Sequence, residues 1–363
     1  MLLLLGGLWV FVSQSGMAQS GRKPQGRIEK PIVRLETLEV VLPLLAYDAN
    51  GRFVDDLKPQ EVLVLEESEA RPVASLKREP ANIILILDGS NEIGTFKNGP
   101  TQRYYKDDRP IWEKGKPGGH LVNPTSREFA LKFLAGLSPR DQVAIIQYAD
   151  RVQVLQDWTS DSSQAVKSLQ SKYRVGIKST YHDALKLAAE KLEQKKDGRR
   201  IVVMLTDGID TAGKTGKSKA MVALEKARAT VFAIGWGEAV KREIELAIGW
   251  MRGHENFTSA SASRLGEMRE YLARLEGASI ELQQLAESSG GIAWMPATHE
   301  EVIAASRPLT AEIGAQYSLT FVTERKPSLE DNRSIQVLPA RPGLSLRSRR
   351  TYYAGEEAHE DVK

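Results

Sequence analysis

The chain has 363 residues, 41% of them hydrophobic and 27% charged, with a formal net charge of +3. This is the composition of a globular protein with room for about two domains, and the small net charge excludes bulk attraction to nucleic acid or membrane. Cysteine is absent, which excludes disulfides, thiolate metal sites and cysteine nucleophiles, and the five histidines (His120, His182, His254, His299, His359) show no metal-ligand spacing.

Residues 1–12 form an apolar run. It is too short to span a bilayer but has the length of a signal-peptide core, and Gly16 and Ala18 supply small side chains for a cut after residue 18. The expectation is a signal peptide at 1–18 and an exported chain, in the periplasm, at the cell surface or secreted, with no integral membrane span in the mature chain. A short anchor or a buried strand is the alternative. Residues 19–30, polar and basic with Pro24 and two glycines, read as a linker. Residues 31–80 carry short strand-like runs at 38–46, 62–65 and 73–76 with no helix between them, an N-terminal β segment.

The texture then changes. Ile83-Ile84-Leu85-Ile86-Leu87 is an apolar, β-prone run suited to a strand buried on both faces. It stops at Asp88-Gly89-Ser90-Asn91-Glu92, oxygen ligands at the C-terminal end of a buried strand, where an open α/β sheet places its ligand. Residues 95–124 follow with four prolines and the aromatics Tyr104, Tyr105 and Trp112 among basic residues. No periodicity marks them as helix or strand. A loop of this length is often functional, and it reads as partner-binding, toward a protein rather than nucleic acid.

Strands and helices then alternate: a helix from 125, strands at 142–148 and 152–155, helices at 165–169 and 181–192, and a strand at 201–206 ending Thr206-Asp207-Gly208. A helix at 217–229 and a strand at 230–235 come next. The stretch 237–279 is longer than a crossover needs, an insertion with a helical stripe at Leu265, Met268, Leu272 and Leu275. A helix closed by Gly290-Gly291, a strand at 291–295 and a helix at 300–314 complete the alternation. Period-two patterning returns at 317–322, 334–338 and 344–347. The outer pieces are each too small to bury a core alone. The expected fold is therefore α/β: a doubly wound, mostly parallel Rossmann-like sheet at 81–314, inserted in a small antiparallel β-domain in which 315–355 pairs with 31–80, with a tail at 356–363.

Two parallel strands would deliver Asp88 and Asp207 to one edge. Ser90 and Glu92 lie just beyond Asp88, and Ser179 or Thr180 precedes a helix at the same edge. Two carboxylates with hydroxyls suit a hard cation such as Mg²⁺ or Mn²⁺; without one, the acids would need a base between them, and Lys178 is the candidate.

These residues resemble a von Willebrand factor A domain, and the bracketing strands resemble the exported bacterial VWFA-related proteins of acidobacterial type. In that family the metal-ion-dependent adhesion site is Asp-x-Ser-x-Ser after the first strand, a later Thr, and the Asp of Thr-Asp-Gly. Asp88 and Ser90 match the first motif and Thr206-Asp207-Gly208 the last. Asp183-Ala184-Leu185 matches the family's Asp-Ala-Leu, and 341–354 its closing strand. Glu92 departs by replacing the second serine, and Ile177-Lys178-Ser179-Thr180 stands for Gly-Gly-Thr.

The resemblance implies a non-enzymatic protein-binding or adhesion module, with Mg²⁺ or Mn²⁺ at a degenerate site of Asp88, Ser90, Glu92, Ser179, Thr180 and Asp207. A metal-free envelope scaffold and a metal-dependent hydrolase are the alternatives; no serine–base pair or histidine motif supplies a nucleophile or general base for the latter. Gly213 to Ser218 resembles a phosphate loop, but Thr211 stands where its first glycine belongs, so a surface turn is expected.

Overall fold

The computed structural model describes residues 37–90, 104–106, 109–111, 124–176, 178–252, 259–324 and 332–353. The predicted signal peptide and linker, Glu92 and Trp112 lie outside them. The chain opens with β1 (Thr37–Tyr47), β2 (Val62–Glu66), β3 (Glu69–Arg71) and β4 (Val73–Lys77). Asp48 closes the first turn by accepting from the N–H groups of Asn50 and Arg52, the side-chain turn for which aspartate is favoured.

Next comes β5 (Ala81–Asp88), every residue of it buried. Ile83, Leu85 and Leu87 face one apolar cluster and Ile84 and Ile86 the opposite one, as the two-residue period of a strand requires. Each such side chain contributes about 1.5–3 kcal/mol by leaving water, so this strand is a large part of the domain's stability.

Residues 95–124 depart in part from the expected irregular loop. Within them β6 (Tyr104–Lys106) and β7 (Arg109–Ile111) pair antiparallel, Tyr104 opposite Ile111 and Tyr105 opposite Pro110. Three-residue strands are too short to register as a periodic pattern.

The alternation then runs through α1 (Pro124–Ala135), β8 (Gln142–Tyr148), β9 (Val152–Thr159), α2 (Ser162–Lys172), α3 (Tyr181–Glu193), β10 (Arg199–Thr206), α4 (Lys217–Lys226) and β11 (Thr230–Gly235). Two helices, α5 (Gly237–Arg252) and α6 (Ser259–Ser288), precede β12 (Ala293–Trp294). The sequence suggests a break within α6, but the helix is continuous for 30 residues. Gly266 and Gly277, the two glycines within it, meet open space, and no proline interrupts the ladder. The next helix does divide, into α7 (His299–Ala304) and α8 (Ser306–Ala315). Pro308 lies two residues into α8 and cannot donate to the carbonyl of the preceding turn.

The six-stranded sheet has the order β12-β11-β10-β5-β8-β9, parallel except for β9. The chain leaves β5 toward β8 on one side and returns later as β10 on the other. The C-terminal end of β5 is therefore a topological switch point, the place where open α/β sheets form a crevice.

The remaining strands, β13 (Tyr317–Glu324), β14 (Asn332–Pro339), β15 (Ser345–Ser348) and β16 (Thr351–Tyr353), pair with the first four. One antiparallel sheet is β15-β1-β13-β4 and another is β16-β14-β2-β3. Between them pack Val40, Leu42, Leu44, Val64, Leu319, Phe321, Ile335 and Tyr352. A buried charge holds them together: Glu66 accepts from Arg333 (2.9 Å), from Arg71 (2.7 Å) and from the hydroxyls of Thr323 and Tyr352. Burial opposes ionisation, yet these four donors outweigh it and lower the Glu66 carboxyl to about 2.

The sandwich meets the α/β sheet where its strands begin. Leu45 packs into the α/β core, Tyr47 bonds Glu312 (2.6 Å), Asn332 bonds Glu225 (2.9 Å), and Arg349 bonds the Arg228 carbonyl (2.8 Å).

Candidate metal centre

Asp88 closes β5 opposite Tyr148, the last residue of β8. Its carbonyl accepts from the hydroxyls of Tyr173 (2.7 Å) and Ser126 (3.2 Å), which fix the strand end. Its Oδ1 accepts from the Ser90 N–H (2.8 Å) and the Ser90 hydroxyl (2.6 Å). Its Oδ2 is buried and has no hydrogen-bond partner among the described residues. Native proteins rarely leave a buried carboxylate oxygen unmatched.

Asp207, just past β10, is also buried. Its Oδ1 accepts from the Ile209 N–H (3.0 Å) and its Oδ2 from the Tyr271 hydroxyl (2.6 Å). The two carboxyls titrate as a pair pushed upward, because burial penalises charge on both and the Asp207 charge acts on Asp88. Asp88 is raised to about 8. Ser90 opposes this rise, and so, to a lesser degree, does the Tyr148 hydroxyl, which pairs with the Thr206 hydroxyl (2.6 Å).

Ser179 and Thr180 are both buried at this edge. The Ser179 hydroxyl donates to the Ile209 carbonyl (2.6 Å), tying it to the Asp207 loop, and the Thr180 hydroxyl donates to the Ala149 carbonyl (3.0 Å), beside the end of β8. With its proton engaged elsewhere, each hydroxyl retains lone pairs for a cation. Lys178 does not neutralise the acids: its side chain is exposed, while Asp88 and Asp207 bond to Ser90, Ile209 and Tyr271 instead.

The donor set therefore fits a hard cation, with an orphaned carboxylate oxygen on Asp88, a second carboxylate and three hydroxyls. Among the described residues no three His, Cys, Asp or Glu side chains gather as a metal cluster, so any cation here relies on hydroxyl donors. Tyr104 and Tyr105 sit on β6, away from this constellation in sequence, and their side chains are outside the described residues.

The residues not anticipated are Tyr148 and Tyr271. Tyr148 ends a strand paired in register with Asp88. Tyr271 belongs to the buried face of α6 with Leu265, Met268, Leu275, Ala278 and Leu282, and the helical stripe read from the sequence passes directly over it.

The phosphate-loop lookalike is accounted for as a turn. The N–H of Gly213 is held by Asp210 (2.7 Å) and that of Thr215 by Asp183 (2.7 Å). These carboxylates occupy the positions a phosphate would need.

The doubly wound sheet, with two buried carboxylates and neighbouring hydroxyls at the C-terminal ends of its central strands, defines an open α/β domain. The family model for the von Willebrand factor type A domain matches residues 82–270, and the chain belongs to that family.

Among solved structures it is similar to an aerotolerance-related membrane protein from Bacteroides fragilis NCTC 9343 carrying multiple mutations to serines, at 18% identity over 64% of this chain and 98% of that one (TM-score 0.38). A von Willebrand factor type A protein from Catenulispora acidiphila matches at 9% identity over 89% and 74% (TM-score 0.42). Proximal thread matrix protein 1 from the mussel byssus, with a zinc-occupied MIDAS motif, matches at 13% over 69% and 50% (TM-score 0.41). No curated protein matches the chain.

Proposed function

We propose that this is an exported, non-enzymatic protein-binding module that engages a protein partner through the C-terminal edge of its six-stranded sheet. A divalent cation, Mg²⁺ or Mn²⁺, is held there by residues drawn from Asp88, Ser90, Glu92, Ser179, Thr180 and Asp207. The observation that carries this reading is the buried, unpartnered Oδ2 of Asp88 beside a second buried carboxylate. Two ionised acids there are tolerable only with a positive charge between them. The cation supplies an electrophilic contact for an acidic residue of the partner, and the hairpin-bearing segment at 95–124, with Tyr104, Tyr105 and Trp112, supplies further contact.

Of the described histidines, His182 lies beside Asp210 (3.4 Å) and His299 bonds Thr125 (3.0 Å), and neither contacts Asp88 or Asp207 in these bonds. One observation favours the alternative of a metal-free scaffold. The raised Asp88 carboxyl holds a proton at neutral pH that can stand in for the cation.

The test is thermal melting with Mg²⁺ or Mn²⁺. Either ion should raise the midpoint, and Asp88→Ala should abolish the rise; no response to either ion refutes the cation reading. Deleting 95–124 should leave the fold intact and lose the partner in a pull-down.

A further inference from the structure

The insertion does more than cover apolar surface. Every residue from 207 to 210 is touched by α6. Tyr271 donates to the Asp207 carboxylate at 2.6 Å. Gly208, at φ +80°, lies against Ala278 and Leu282, which a Cβ there would meet at 3.0 and 3.1 Å. Ile209 packs with Met268, Tyr271, Leu275 and Ala278 in a cluster completed by Val240 and Ile244 of α5. Arg274 donates to the Asp210 carbonyl at 3.2 Å. A short loop without regular structure is thus held at four successive positions by one helix, and one of the two side-chain hydrogen bonds among these contacts ends on the carboxylate of the candidate cation site.

We infer that Tyr271 is a positioning residue of this site: its phenol fixes the rotamer of Asp207 and keeps the remaining lone pairs of that carboxylate turned toward Asp88. The inference rests on the cation reading above and adds to it a residue carried by the insertion rather than by the motif-bearing strands and loops. The chemistry is that of an outer-shell donor. A hydrogen bond from a rigid element restricts a ligating carboxylate to one orientation, and loss of such a donor costs about 10–100-fold in metal affinity. Tyr271 is suited to this because its ring is anchored in an apolar cluster while only its hydroxyl reaches the acid.

The experiment is calorimetric titration of the full chain with MnCl2, comparing wild type, Tyr271→Phe and Leu275→Ala. Tyr271→Phe keeps the ring in the cluster and removes the hydroxyl alone. Leu275→Ala weakens the same cluster without touching Asp207, so it reports what loosening of α6 does by itself. Melting in EDTA measures the stability of each variant separately from its Kd. The expected result is a Kd raised about 10–100-fold in Tyr271→Phe and within a few-fold of wild type in Leu275→Ala. An unchanged or tighter Kd in Tyr271→Phe overturns the positioning role while leaving the cation site in place. Equal weakening in both variants also overturns it, since packing would then be the cause. If wild type takes up no Mn²⁺, the cation reading itself falls, and this inference with it.

Discussion

Replacing Asp88 with asparagine in metal-free protein is expected to flatten the dependence of stability on pH. Burial, with the Asp207 charge beside it, raises the Asp88 carboxyl to about 8, against about 3.9 in an unfolded chain. Between those values the folded protein binds a proton that the unfolded chain has released. Stability is thus fully present below the lower value and is lost as pH rises through the upper one. The slope is at most about 1.4 kcal/mol per pH unit, or about 4 kcal/mol between pH 5 and pH 8. Asparagine keeps a carbonyl oxygen for the Ser90 donors and cannot ionise. Its amide nitrogen takes the place of the unpartnered Oδ2, a loss of about 1–3 kcal/mol that does not vary with pH. Urea unfolding in EDTA across about pH 5 to pH 8 should show wild type losing stability faster than the variant. Parallel profiles would refute a proton-holding carboxyl at position 88.

Other changes probe the frame around the site. Saturating Mg²⁺ at about 100 times its Kd should stabilise wild type by about 2.7 kcal/mol and Asp88→Asn by much less, read from urea midpoints. Glu66→Ala should cost about 3–5 kcal/mol at neutral pH, because it leaves the buried Arg333 without its carboxylate. With the folded Glu66 carboxyl near 2, its contribution is present above the unfolded value of about 4.3 and lost as pH falls below it; circular dichroism melts at neutral and acid pH check the sign. Gly208→Ala should destabilise by about 1–3 kcal/mol through its positive φ and the approach of Ala278 and Leu282. A melting point equal to wild type would refute that strain.

The sheet was legible wherever a strand is buried on both faces. Ile83 to Leu87, Ile201 to Leu205 and Val231 to Ile234 are unbroken apolar runs because each strand lies between two helical layers, and alternation returns only in the one-sided strands of the sandwich. Asp88 and Asp207 were readable because a buried run that stops at a carboxylate has few structural explanations.

What escaped the sequence involves contacts between elements. The Tyr271–Asp207 bond joins residues 64 apart, and nothing local distinguishes a tyrosine that packs from one that packs and donates. The unity of α6 escaped because the stretch to 279 and the helix from 282 read as separate pieces, whereas its exposed glycines cost only about 1 kcal/mol each and do not break it. Lys178 was a plausible neutralising base by proximity in sequence alone. Its backbone N–H is tied to Asp150 (2.8 Å), and its side chain is exposed.

The sandwich and the candidate site sit at opposite ends of the same strands. β5 begins at Ala81, just beyond β4, and ends at Asp88, a rise of about 23 Å at about 3.3 Å per residue. Both Thr37 and Tyr353, the limits of the described β-sandwich, lie in its strands. A partner gripping the Asp88 crevice would therefore pull lengthwise along β5 and its parallel neighbours. Force applied that way is shared among many backbone hydrogen bonds loaded together rather than opened one at a time. With the sandwich at one pole and the candidate site at the other, the central strand would carry such a load along its length.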